Sequence, residues 1–133
     1  MNYKLKIALW SLTLYCISCK SDTLAKAIAD ANTNVMTLHD ETMASHGEIM
    51  NLAEELKKKA QDTVFANKTL IDSISTELDE LNEEMMDWMA EFEEPETQDE
   101  GALKYLKEQA EILSRLKASQ LQNIEAAKNL LKK

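Results

Sequence analysis

Soft-ligand side chains recur along the first half of the chain: Met36, His39, Met43, His46 and Met50 are spaced three, four, three and four residues apart. On a helix that spacing forms a single stripe. A second group, Met85, Met86 and Met89, surrounds Trp88. Thioether sulfur and imidazole nitrogen together suit soft ions such as Cu(I). An exported protein can use Met where a cytosolic one uses Cys, because a thioether forms no disulfide. His39 and His46 lie two turns apart, too far to share one ion. The candidate metal set is therefore His39, Met43, Met86 and Met89. A haem held by a His and a Met between helices is a related alternative, although no Cys-x-x-Cys-His attachment sequence is present. The bland reading of the same residues is stronger. Met fills irregular core space and makes pliable docking surfaces. Met36, Met50 and Trp88 are the candidate partner surface, and no cofactor is required.

Other chemistry is thin. His39-Asp40-Glu41 is contiguous, but successive helical side chains point in different directions, so it is no ready-made catalytic pair. The same objection separates Ser45 from His46, and Ser73 has no arranged base. Residues 93–100 form an acidic loop without EF-hand spacing. A Gly-rich phosphate loop is absent. Long heptads with short connections leave little room for a cleft, so the chain reads as not an enzyme.

The N-terminus carries a different signal. Lys4 and Lys6 precede an apolar run over residues 7–17, then Ser18, Cys19 and the polar Lys20-Ser21-Asp22. The run is too short to span a bilayer as a permanent helix and has the order of an export signal. Cysteine at the cleavage point resembles the lipobox of bacterial lipoproteins, in which that cysteine becomes the lipidated first residue. The expected divisions are a signal peptide at 1–18 and one domain at 19–133, with Cys19 as the lipidation site. Cys16 stands where a lipobox usually has Leu, a departure that keeps plain secretion or an uncleaved anchor as alternatives. A redox or metal reading of Cys16-x-x-Cys19 lacks a βαβ pattern or a second cysteine pair.

Composition points to long helices. The chain has 133 residues with two Gly and one Pro, and Ala, Leu, Glu, Lys and Met dominate. Its formal charge is −9, and losing Lys4 and Lys6 with a signal that holds no acid makes it about −11. Such a surface repels nucleic acid and anionic head groups, which leaves the lipid as the membrane attachment.

Three heptad series set the elements. Helix one, roughly 22–60, is capped by Ser21 or Asp22 and carries Leu24, Ile28, Ala31, Val35, Leu38, Ile49, Leu52 and Leu56. Thr42 and Ser45 interrupt this series, and residues 42–47 are its weakest part, although hydroxyl back-bonding need not end the helix. Lys57-Lys58-Lys59 suits its C-terminus. Helix two, roughly 64–93, is capped by Asp62 or Asn67. It carries Val64, Ile71, Ile74, Leu78, Leu81, Met85, Trp88 and Phe92 before Pro95. Helix three, roughly 98–132, opens on the capping-box pattern Thr97-Gln98-Asp99-Glu100. Its inner face is Leu103, Leu106, Ala110, Leu113, Leu116, Ile124, Ala127 and Leu131. Short connections give an all-α, antiparallel up-down-up three-helix bundle, with an oligomeric coiled coil as the alternative. A hairpin centred near 64 sets Met43 level with Met86 and His39 level with Met89, whereas one centred near 61 sets Met36 level with Met86. Folding back near 97 sets Tyr105 level with Met89.

Several blocks together resemble a family of small lipoproteins of Bacteroidetes, some labelled "viral A-type inclusion protein". They are the lipobox-like start, His39-Asp40-Glu41 with Met43, Ile49-Met50, Met85-Met86-Asp87-Trp88-Met89 with Phe92 and Pro95, and Tyr105-Leu106 with Glu108-Gln109. The resemblance covers the whole mature chain and implies a lipid-anchored helical protein. It carries no assigned activity. His46 departs from it, since another Met is expected there, which favours His39 as the functional histidine.

The combined expectation is an exported, membrane-anchored protein of the cell envelope. Its bundle would act structurally or bind a protein partner, with self-association an option. Soft-metal or haem binding is the second reading. The third is an envelope spacer with lipid at one end and Lys132-Lys133 at the other.

Overall fold

The computed structural model describes the backbone at residues 3–61, 65–96 and 98–132, and side chains at 22–61, 68–96 and 98–132. Every regular element formed by the described residues is a helix: α1 (Tyr3–Met43), α2 (His46–Gln61), α3 (Phe65–Glu91) and α4 (Glu100–Leu131). Among the described residues no helix is long and apolar enough to cross a membrane.

Helix α1 passes Ser21 and Asp22 without starting there. No Gly or Pro lies between residues 16 and 22 to interrupt it. The helix expected over 22–60 is instead divided at Ala44 and Ser45. Thr42 is fully buried, and its hydroxyl donates to the Leu38 carbonyl at 2.7 Å. Ser45 N–H donates to the Thr42 carbonyl at 3.2 Å, an i to i−3 bond that tightens the turn, before Ile49 N–H resumes the α pattern onto Ser45. The hydroxyl interruption therefore does end the helix for two residues, within the stretch expected to be weakest.

The expected caps change as well. Asp62 and Val64 lie outside the described residues, and α3 has already begun at Phe65, so Asn67 is inside the helix and not its cap. Thr97 also lies outside them. The N-cap of α4 is Asp99, whose carboxylate accepts from Ala102 N–H at 2.9 Å. Lys59 was expected to favour its own helix end. Its ammonium instead donates to the Leu130 and Leu131 carbonyls at 2.8 and 3.3 Å, capping the far end of α4.

Helix α1 packs on α4, α2 on α3 and on α4, and α3 on α4. Two apolar clusters hold them. One joins Ile28 and Val35 of α1 to Leu81, Met85 and Trp88 of α3 and to Leu106 and Leu113 of α4. The other joins Ile49, Leu52 and Leu56 of α2 to Ile71 and Leu78 of α3 and to Ile124 and Ala127 of α4. Small side chains bring α2 and α3 together, since Ala53 and Ala60 are buried and Ser75 donates to the Ala53 carbonyl at 3.4 Å.

Buried polar side chains lie between the two clusters at the end of α1 and within α4. Thr42 is buried, and Gln120 is only 2% exposed. The Gln120 Oε1 and Asn82 Oδ1 atoms are both buried without a hydrogen-bond partner. Ion pairs bracket this zone: Lys117 with Glu41 at 2.8 Å and Lys128 with Glu48 at 2.6 Å.

Candidate functional site

The site grows from two helix stripes that meet. On α1, His39 follows Met36 by three residues and precedes Met43 by four; on α3, Met89 follows Met86 by three. The stripes touch where His39 Nε2 lies 3.4 Å from Met89 Sδ. Further toward the N-terminus, Asn32 Nδ2 donates to Glu94 Oε1 at 2.7 Å and ties α1 to the segment after α3.

The other imidazole nitrogen is also engaged. His39 Nδ1 lies 3.0 Å from Asp40 Oδ1. The expectation that consecutive helical residues diverge does not hold for this pair, whose side-chain ends meet at the helix surface. Glu41 behaves as expected, turning away from the imidazole to pair with Lys117.

Aromatic rings complete one wall. The His39 and Trp88 rings are 5.8 Å apart, Trp88 stacks on Phe92 at 4.8 Å, and Phe92 stacks on Tyr105 at 6.2 Å. Trp88 Nε1 donates to Gln109 Oε1 at 2.9 Å, which satisfies the one polar atom of the indole. Tyr105 sits opposite Phe92 and Glu93, accepting from Glu93 N–H at 3.3 Å, about one turn beyond the expected level of Met89.

Of the four candidate ligands, His39 and Met89 are in contact, and Met43 and Met89 are partly buried against the same cluster. Met86 is 47% exposed and is not among the side chains packed on that cluster. Of the candidate partner surface, Met36 and Met50 are 42% and 54% exposed. Trp88 does not belong with them: at 8% exposure it is a core residue, held by Phe92 and Gln109. Cys19 lies in α1 outside the residues whose side chains are described.

Sequence reasoning missed two features. Gln109 supplies the indole's acceptor, and only its place one turn before the Leu113 layer hinted at burial. Gln120 fits the heptad between Leu116 and Ile124, but its polarity removed it from the apolar series.

Of the expected ligand types, an imidazole nitrogen and a thioether sulfur meet at this contact, 3.4 Å apart. Elsewhere, Glu91, Glu93, Glu94, Glu96 and Asp99 border a surface hollow beside Pro95. Among the described residues no three His, Cys, Asp or Glu side chains converge to hold a metal ion. No protein-family model, curated protein or solved structure matches the chain.

Proposed function

We propose that this protein is a lipid-anchored component of a bacterial cell envelope whose helices form an up-down-up three-helix bundle with a structural or protein-binding role. The observation that carries the reading is the order Lys4, Lys6, an apolar run, Ser18 and Cys19. That order has the layout of an export signal ending at a lipidation site. With 1–18 removed, Cys19 becomes the first residue of the remaining helix, and the lipid sits at one end of the bundle.

Pairings along the helices support the topology. Asn32 with Glu94, His39 with Met89 and Ser75 with Ala53 have falling numbers on one helix against rising numbers on the other, as in antiparallel neighbours. Glu41 with Lys117 and Glu48 with Lys128 rise together, as in parallel neighbours. Binding is supported by Met36 and Met86, large apolar side chains left half exposed three residues before His39 and Met89 on their helices. Flexible thioethers adapt to the apolar face of a partner helix at small cost in strain.

The test is fatty-acid labelling of the full chain in a bacterial host that processes lipoproteins. Incorporation should be complete, should accompany loss of residues 1–18, and should vanish in Cys19→Ser. A soluble, unlabelled product, or labelling that persists in Cys19→Ser, would overturn the reading.

A further inference from the structure

The two nitrogens of His39 have unequal partners. Asp40 offers a carboxylate oxygen, which only accepts, so Nδ1 at 3.0 Å carries the hydrogen. In the neutral ring Nε2 then presents a lone pair, and what it faces at 3.4 Å is the Met89 sulfur, another lone-pair atom. Two acceptors held in contact are reconciled by a proton on Nε2 or by a cation that both atoms ligate. Among cations other than the proton, the atom types favour a soft one. Both atoms lie close enough to ligate one ion between them, and such an ion could take a third donor. Met43, one turn from His39 on the same stripe, is partly buried against the same cluster as Met89. The Trp88 ring lies 5.8 Å from the imidazole and adds an apolar neighbour. A carboxylate hydrogen-bonded to the second nitrogen of a ligating histidine fixes the tautomer and strengthens the donor, which is the relation of Asp40 to His39.

We infer that His39 Nε2, Met89 Sδ and Met43 Sδ form a binding site for one soft monovalent cation, Cu(I) or Ag(I), with Asp40 as the positioning carboxylate. The site uses three residues on two helices and does not depend on the lipid anchor. Met86, half exposed, is outside it.

The test uses the full chain with Cys16→Ser and Cys19→Ser, because free thiols would capture the ion first. Ag(I), which is inert to oxidation, is titrated while the methionine methyl and histidine ring signals are followed by NMR. Saturation is expected at one equivalent, with shifts at Met43, Met89 and His39 and none at Met36 or Met50. His39→Ala and Met89→Leu should each weaken binding at least tenfold, and Asp40→Asn by tenfold or more. Met89→Leu keeps the apolar volume, so it separates loss of the sulfur from loss of the fold. Uniform shifts at all seven methionines, or unchanged affinity in Met89→Leu and His39→Ala, would overturn the assignment.

Discussion

Replacing Gln120 by Met should make the protein more stable. Gln120 is 2% exposed, and its Oε1 is buried with no partner. A buried acceptor left unsatisfied costs about 1–3 kcal/mol. Met has the same unbranched length and no polar atom to desolvate, and its side-chain entropy cost on burial is comparable. Volume-conserving swaps elsewhere in cores cost under about 1.5 kcal/mol, which sets the offset. The expected net gain is about 1–2 kcal/mol. For roughly 110 residues, an unfolding entropy of about 2.1 cal/mol/K per residue converts each 1 kcal/mol into about 4 °C, so the midpoint should rise by about 4–8 °C. Thermal and urea unfolding followed by circular dichroism at 222 nm would measure it, with an unchanged urea slope as the check on two-state behaviour. A lowered midpoint in Gln120→Met would refute the reasoning, because it would mean that Oε1 has a stabilising partner.

Other perturbations have equally definite outcomes. Leu78→Ala, at a fully buried position, should cost about 2–5 kcal/mol, and Leu78→Asp should abolish the cooperative helical signal; an unaltered spectrum for the latter would contradict the core assignment. Asp99→Ala removes the α4 cap and should cost about 1 kcal/mol, read by chemical denaturation. Gly47 has open space around an added Cβ and no positive φ, so Gly47→Ala should stabilise α2 by about 0.5–1 kcal/mol. The Lys58 ammonium, hydrogen-bonded to Glu54 at 2.7 Å, holds that carboxyl below the usual range. The pair therefore contributes fully above the ordinary carboxylate pKa and is lost as pH falls through the lowered value. Carboxyl NMR of Glu54 should show that low titration, and Lys58→Met should return it to the ordinary range.

The apolar heptads made the helical class and most of the core legible, because Leu, Ile and Val at a and d positions have few alternatives to burial. Val35, Leu56, Leu78, Leu106 and Leu113 all lie inside. Ala53, Ala60 and Ser75 escaped notice because small side chains carry little hydropathy, although it is their size that lets α2 approach α3. The division at Ala44 and Ser45 was legible only as weakness: a buried hydroxyl can bend a helix or leave it whole, and the local sequence does not choose. The choice between Thr97 and Asp99 as a cap turned on two competent residues two positions apart. At the site, the sequence left turns near 64 and near 61 both open, and the His39–Met89 contact follows the register of the first. The Asp40 contact was not legible, since it depends on a side-chain rotamer and not on helical period. Trp88 met the criteria for core and for surface alike, and its burial follows from the acceptor that Gln109 provides.

The buried polar positions Thr42 and Gln120 also bear on how the native state fluctuates. An apolar core that runs unbroken opens as one body. Here, on α1 and α4, hydroxyl and amide side chains separate the two clusters, which favours opening of one while the other stays closed. Amide hydrogen exchange should then resolve two protection tiers, one spanning Ile28 to Met43 with its neighbours on α3 and α4, the other centred on Ile49 to Leu56. His39 and Met89 belong to the first tier. An ion bridging α1 and α3 would raise the protection of that tier alone, so exchange rates at its amides would register occupancy of a site that leaves the far half of the molecule unchanged.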